Sequence, residues 1–315
     1  MLVSIVIRSL NEGRHLDDLL VMIEQQNCQG FELETVVIDS GSTDNTLDIA
    51  RSHGVRVTTI QKEDFSFGRS LNLGCKYANG EILVFISGHC VPANSYWLQN
   101  LCRPLLDSSV SYSYGRQIGD DESNFSERLI FSKYFPDRSA IPQEGFFCNN
   151  ANSALLRSTW QKFPFDEELT GLEDMELAKR LVAQGMQVGY VADAVVFHHH
   201  NESWTQIRHR FEREALALRI IMPEVHLSWL DVIRCVIVST YCDWRAARLN
   251  GVTSTSKINM LRYRWNQYLG SFKGNTEHRC LSRKAKEKFF YPHLQDKAEQ
   301  DESLRPVRRT SPNKS

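Results

Sequence analysis

The sequence predicts an α/β protein, a mostly parallel sheet flanked by helices and followed by a C-terminal helical extension. Three observations predict it. Short apolar runs rich in β-branched residues fall at 3–7, 35–38, 55–60 and 82–86. Helical patterns lie between them, and regular alternation of strand and helix means parallel strands with helices on both faces. From Trp204 onward the alternation gives way to long amphipathic stretches.

Taken in order, the first strand is followed by the helical pattern HLDDLLVMIEQQ and the second by NTLDIARSHG. The latter starts after Ser-Thr-Asp, a good capping sequence, and stops at Gly54. SLNLGCKYANG gives a third helix before the fully apolar strand at 82–86. The loops after strands one, two and four read RSLNEG, DSGSTDN and SGHCVP. All three are polar, and in such sheets the loops at the carboxyl ends of the strands gather on the edge where ligands bind. YSYGRQIGDDES, with its glycines and acidic pair, reads as a flexible or substrate-covering segment. Residues 145–163 mix asparagines with apolar residues; DEELTGLEDMELAKRLVAQG then predicts a helix ending at Gly185, and QVGYVADAVVFHHH a strand. WTQIRHRFEREALALRIIM and LSWLDVIRCVIVSTYCDWRAARL read as amphipathic helices, and the charged segment after about 295 as a fraying end.

Composition bounds the rest. The 315 residues are 42% hydrophobic and 24% charged, as in ordinary soluble proteins. Near-zero net charge conceals an asymmetry: residues 1–205 hold 16 Lys and Arg against 27 Asp and Glu, and residues 206–315 hold 21 against 11. A basic C-terminal part suits an anionic partner, or is simply a solvated helical face. Trp229, Trp244, Arg234, Arg245 and Arg248 surround an apolar run, which fits either a helix resting on anionic lipid or one packed on the body. Eight scattered cysteines without a C-x-x-C pair read as reduced thiols of a cytoplasmic protein. MLVSIVIRSL lacks a basic leader, and no run reaches the roughly 20 apolar residues of a spanning helix. The expected location is therefore the cytoplasm, with peripheral contact at the inner face of the cytoplasmic membrane as the extension of that reading. No nucleic-acid partner is expected.

Chemistry concentrates after the strands. Asp39 and Asp44 stand in VVIDSGSTDNT, where a carboxylate can hydrogen-bond a nucleotide; Asp44 is equally placed to cap the next helix. There is neither a P-loop nor a G-x-G-x-x-G.

SIVIRSLNE, ETVVIDSGSTDNT, GRSLNLG and GLEDMELAKRL, in that order across roughly residues 1–200, resemble the glycosyltransferase family 2 enzymes. FSFGRSLNLG, FCNNANSALLR and FDEEL look most like rhamnosyltransferase-like bacterial members. The resemblance implies a GT-A fold and inverting transfer from a nucleotide-sugar donor. It implies a GT-A domain over 1–205, its nucleotide-binding part about 1–110 and its acceptor-binding part about 111–205. A helical extension over 206–295 and a disordered tail over 296–315 would follow. By the same resemblance Asn11, Glu12 and Asp39 hold the nucleoside, with Gly41 and Ser87 beside the donor. Arg69 and Asn72 line the donor pocket, and Asn149, Asn150 and Asn152 form an acceptor or donor-sugar loop. Glu173 and Asp174 match the family's acidic pair, whose aspartate is the catalytic base.

Inverting transfer needs one carboxylate to take the acceptor proton as oxygen attacks the anomeric carbon. Glu173 would raise the pKa of Asp174 by like-charge repulsion, and a helix N-terminus would oppose that. Where the family usually carries an Asp-x-Asp metal motif, this chain reads Ser87, Gly88 and His89. Related GT-A enzymes use an Asp-x-His version with a later histidine, and VVFHHHNES supplies one. A period of two sends His198 and His200 to one face and His199 to the other. His89 and His198 are the expected ligands of a divalent metal, Mn or Mg, although imidazole favours Mn, Fe, Ni or Zn. The alternatives are His89 on phosphate without metal, or charge neutralisation by Arg208 and Arg210. The resulting expectation is a sugar transferase of surface-polysaccharide assembly, with a saccharide or lipid-linked saccharide acceptor. Its rival is a non-catalytic nucleotide- or sugar-binding relative, suggested by the lost aspartates. A nucleotidyltransferase would need a glycine-rich basic loop that SLNEGRH does not provide.

Overall fold

In the computed structural model, residues 1–120, 123–200, 202–252 and 256–276 are described. The first third of the chain lays down β1 (Leu2–Ser9), α1 (Leu16–Glu24), β2 (Glu32–Asp39), α2 (Thr46–Ser52), β3 (Arg56–Thr59), α3 (Phe67–Tyr77) and β4 (Ile82–Ser87). These four strands are parallel, with β1 between β2 and β4 and β3 on the edge. There follow β5 (Cys90–Pro92), α4 (Trp97–Leu106), β6 (Tyr112–Ile118), α5 (Phe125–Tyr134), β7 (Asn152–Leu156), α6 (Arg157–Lys162), α7 (Glu173–Ala183) and β8 (Val188–His198). All eight strands form one sheet in the order β3-β2-β1-β4-β7-β6-β8-β5.

Successive strand residues face opposite sides, and both sides are covered. Ile5 and Ile7 pack with Leu16, Leu19, Val84 and Trp97, whereas Val6 packs with Ile38, Leu71, Phe85 and Leu177. Burial on both faces is why the centres of β1, β2 and β4 read as apolar runs. Gly74 has a packing role: a Cβ there would collide with Val6 and Ile38, so glycine lets α3 close onto the sheet.

The second half of the sheet is mixed, and its connectivity shapes the rim. β7 runs antiparallel to both β4 and β6, pairing Ile86 with Asn152. Its start, with the asparagine loop before it, therefore lies at the carboxyl end of β4. β6 and β8 are parallel to each other, pairing Ile118 with Phe197, so both end on that same rim. Of the segment expected to be flexible or substrate-covering, residues 112–118 instead form the largely buried strand β6, and residues 121–122 lie outside the described residues. Tyr112 and Tyr114 pack in the core, and Gly115 sits where a Cβ would strike Ala194 and Asn152, at a register shift in the β6–β8 ladder. The glycine that suggested flexibility is a close-packing position.

The chain continues as α8 (Trp204–Ile221), α9 (Trp229–Leu249) and α10 (Lys257–Thr276). Ser203 and Ser228 close capping boxes at the starts of α8 and α9. Gly270 and Gly274 let α10 approach the backbone of Arg208 and Glu212 on α8. A buried Arg264–Asp243 pair at 2.7 Å joins α10 to α9, and Arg264 also donates to the Ser126 carbonyl of α5 at 3.3 Å. The extension expected over 206–295 is described to Thr276; its remainder and the tail expected over 296–315 lie outside the described residues. Among the described residues no helix is long and apolar enough to cross a membrane.

Candidate active site

The rim where β1, β2, β4, β6 and β8 end collects three groups of polar side chains. The first is the pair of loops after β1 and β2. Asn11, at φ 56°, takes the left-handed conformation that asparagine tolerates better than most residues, and its side chain accepts the Thr43 N–H at 2.8 Å. Asp39, 1% exposed, accepts the N–H groups of Gly41 and Ser42 at 2.9 Å each and the Ser42 hydroxyl at 2.5 Å. Gly41 supplies the φ of 99° that this turn requires. Asp44 accepts from both Thr46 and Gly13, so it stitches the two loops together and caps α2.

The second group is the acidic pair. Leu172, at φ 56°, turns the chain so that α7 begins with Glu173 and Asp174, both buried. Asp174 Oδ2 accepts the Asn150 N–H at 2.7 Å, and Glu173 Oε1 lies 3.3 Å from the Arg8 guanidinium at the end of β1. Burial foremost, and then the Glu173 carboxylate, raise the Asp174 pKa from 3.8 to about 7; backbone N–H donors and Arg8 oppose the rise. The two opposing effects expected from sequence are both present, and the raising ones win. The Arg8 and Arg213 guanidinium carbons lie 4.9 and 4.6 Å from the Phe67 ring centre, which brings two cations to the side of the pair.

The third group is imidazole. His89 Nε2 is 3.1 Å from His198 Nε2, and His200 stacks edge-on to His198 with ring centres 4.0 Å apart. Ligand atoms of His89, His198 and His200 lie within 4.8 Å of one another. His199 points the other way, onto Asp120 at 2.6 Å and against the His15 ring, as the period of two requires. Burial and the neighbouring histidines hold the His198 pKa well below normal, which keeps it neutral and able to ligate. For His89, burial works against ionisation, but the Glu12 carboxylate at 2.7 Å outweighs it and the pKa is raised. Three convergent imidazole nitrogens are a donor set that fits a first-row divalent cation.

Several residues stand elsewhere than sequence reasoning puts them. Asn72, expected in the donor pocket, donates to the Phe165 carbonyl and Glu167 and accepts from Trp160 and the Phe165 N–H. Those four bonds fill its amide, and it clamps α3 to the chain before α7. Arg69 binds Glu167 at 2.9 Å in the same clamp. Asn152, expected in a sugar-binding loop, is fully buried between Trp97 and the carbonyls of Arg116 and Ala194. Asn150, 1% exposed, turns its amide oxygen inward to accept from Tyr112 and Ser153, while its backbone N–H donates to Asp174. Glu12, expected on the nucleoside, holds His89. Ser87 is 9% exposed, its N–H on the Ala151 carbonyl. Arg210 is committed to Glu127 and Glu202, so it is not a free cation for a leaving group. Gln117, Glu127 and Arg8 are parts of the site that the sequence does not single out, because each lies in or beside an element whose own pattern is structural.

A family model described as Glycosyl transferase family 2 matches residues 4–162. The O-antigen chain rhamnosyltransferase RfbN of Salmonella typhimurium is 28% identical over 215 residues, 64% of this chain and 67% of its own. The O-antigen chain rhamnosyltransferase WbaN of Salmonella anatum is 28% identical over 181 residues, 53% of this chain and 57% of its own. Among solved structures, the Pyrobaculum calidifontis mannosyltransferase PcManGT in complex with GDP-Man and Mn2+ matches with a TM-score of 0.56 at 16% identity. It covers 92% of this chain and 87% of its own. Staphylococcus aureus TarS 1–349 in complex with UDP-GlcNAc matches with a TM-score of 0.52 at 16% identity, over 96% and 92%. These structural matches establish a shared GT-A fold.

Proposed function

The chain belongs to glycosyl transferase family 2, and on that footing we propose that it transfers a sugar from a nucleotide-sugar donor to a saccharide or lipid-linked saccharide acceptor with inversion, using Asp174 as base. The observation that carries this reading is the environment of Asp174. It is buried beside Glu173, its pKa is near 7, and it stands on the rim that also gathers the imidazoles and the β1–β2 loops. A carboxyl with that pKa is partly ionised at neutral pH and basic enough to accept a proton in the transition state.

In the proposed step the acceptor hydroxyl oxygen bonds to the anomeric carbon while its proton passes to Asp174. The bond from that carbon to the donor diphosphate breaks, and its electrons leave with the diphosphate. Attack from the side opposite the leaving group inverts the centre. Arg8 and Arg213 face developing negative charge from the Phe67 side. A divalent cation bound by His89 and His198 would supply further charge to the departing diphosphate. Asn11, Asp39 and Gly41 cradle the nucleoside, for which Asp39 exchanges its bond from Ser42.

Two relatives are named O-antigen chain rhamnosyltransferases. That supports surface polysaccharide as the product and makes a nucleoside-diphosphate rhamnose the first donor to test. Release of nucleoside diphosphate from a panel of donors, with and without Mn2+, tests the reading; binding without turnover of any donor refutes it.

The reading extends to where the acceptor lies. Leu230, Ile233, Ile237, Val238 and Tyr241 of α9 and Ile258, Leu261 and Trp265 of α10 are exposed. Arg234, Arg245, Arg248, Lys257 and Arg262 are exposed among them. The two helices carry only two carboxylates: Asp231 caps α9, and Asp243 is buried on Arg264. An outward face of apolar and basic side chains, whose one accessible carboxylate, Asp231, is bonded in the α9 cap, fits an anionic lipid leaflet. A lipid-linked acceptor would be presented there.

A further inference from the structure

The three imidazoles are each fastened at Nδ1, and the fastenings fix where their lone pairs point. The Ala151 N–H can only donate, and it donates to Asn149 Oδ1 at 3.0 Å. The same oxygen accepts from Gln117 Nε2 at 2.9 Å, so the Gln117 amide is oriented and its Oε1 faces His198 Nδ1 at 2.6 Å. His198 therefore carries its proton on Nδ1 and a lone pair on Nε2. Glu12 is an acceptor when ionised, so it sets His89 in the same way at 2.7 Å. Glu127, ion-paired to Arg210, sets His200 at 2.8 Å. His89 and His198 thus face each other, Nε2 to Nε2, at 3.1 Å. That approach is repulsive unless a positive centre lies between the nitrogens. Two imidazole nitrogens on one tetrahedral metal, each at about 2.0–2.1 Å, stand roughly 3.3 Å apart.

We infer that His89, His198 and His200 form a three-imidazole metal centre selective for Zn2+, Co2+ or Mn2+ over Mg2+, with Glu12, Gln117 and Glu127 as positioning residues that hold all three ligands as Nε2 donors. The inference rests on the transferase reading only for what the metal would do, not for whether it binds. Neutral nitrogen ligands favour borderline first-row ions, whereas Mg2+ demands oxygen. Outer hydrogen bonds to the ligating rings fix tautomer and orientation, and their loss typically costs 10–100-fold in metal affinity. Three protein ligands leave room for diphosphate or water to complete the shell. Asn149 enters this scheme too: it orients Gln117 rather than merely lining a loop.

The test is titration of the metal-stripped full chain with Co2+, with no donor or acceptor present, read by its visible absorption. One saturable equivalent is expected, displaced by Zn2+ and not by a hundredfold excess of Mg2+. Glu12→Ala and Gln117→Ala should each weaken Co2+ binding 10–100-fold, with Glu12→Gln restoring most of it, because its amide oxygen can still accept the Nδ1 proton. Absence of saturable binding to the wild-type chain, displacement by Mg2+, or undiminished binding by His198→Ala overturns the inference. The first result would mean that a shared proton alone bridges His89 and His198. Because no sugar is present, failure here leaves the transfer reaction to be judged separately, and turnover without this metal would leave that reading intact.

Discussion

The Asn150 backbone N–H donates to Asp174 Oδ2 at 2.7 Å and so ties the loop before β7 to the first turn of α7. This bond keeps the carboxyl fixed, while burial and Glu173 keep it weakly acidic. The first prediction concerns pH. Asp174 must be ionised to act as base, so the transfer rate at saturating substrates rises with pH and levels off above an apparent pKa near 7. Glu173→Gln removes one source of the shift and should move that limb to lower pH. The pH–rate profile of both proteins checks this, and an unmoved limb assigns the titration elsewhere.

Asp174 also carries a stability cost of definite sign. Its folded pKa lies above its ordinary 3.8, so folding favours the protonated form. Its contribution is present below about pH 4 and is lost as pH rises through about 7. Asp174→Asn keeps an acceptor for Asn150 and removes the charge. Its melting midpoint at pH 8 should exceed that of the wild type by at least about 2 °C, with the gap closing at pH 4. Differential scanning calorimetry at the two pH values reads it.

Glu127 behaves oppositely. Burial resists its ionisation, but Arg210 and His200 overcome that and bring its pKa from 4.5 to about 2. Folding favours the ionised form, so stability from this group is complete above about pH 4.5 and declines as pH falls toward 2. Glu127→Gln should flatten that acid limb while destabilising the protein at pH 7, as seen in urea midpoints across the range.

Arg264 and Asp243 predict how the C-terminal helices are held. The pair is buried and bidentate, with donor–acceptor distances of 2.7 and 2.8 Å. Asp243→Ala leaves the guanidinium buried against Ser126 without its partner and should cost about 3–5 kcal/mol in unfolding free energy. Replacing both residues by apolar ones of similar volume should cost much less.

The exposed face of α9 and α10 makes a prediction about vesicles. The full chain should float with liposomes containing anionic lipid and not with purely zwitterionic ones, and binding should fall steeply with salt. Leu230→Glu with Ile237→Glu should abolish flotation without altering donor turnover in solution. Dimers by light scattering with no flotation would instead assign the face to a second copy of the chain.

Much of this arrangement is legible in residues, and the illegible parts share a cause. β1, β2 and β4 announce themselves because burial on both faces makes their centres, residues 5–7, 36–38 and 82–86, apolar. The α7 start at Glu173 and its stop at Gly185 are marked by local chemistry. His198 and His200 share a side because strand geometry has a period of two. By contrast β6 is hidden, since a core strand containing Tyr, Ser and Gly has no apolar signature and its Gly115 is explained only by Ala194 and Asn152 from distant segments. Asn72, Asn150 and Asn152 look like ligand-binding amides, but their partners come from residues roughly 20 to 90 positions away. Glu12 meets His89 because β1 and β4 are neighbours, and Gln117 meets His198 because β6 and β8 are, pairings that join distant parts of the chain.

The most direct measurement compares wild type, Asp174→Asn and Glu173→Gln for nucleoside-diphosphate release from the accepted donor in the presence of acceptor. Donor affinity is measured in parallel by calorimetry. Asp174→Asn should lose at least about a hundredfold in turnover at nearly unchanged donor affinity, and Glu173→Gln should retain measurable transfer. Turnover by Asp174→Asn equal to the wild type would contradict the account.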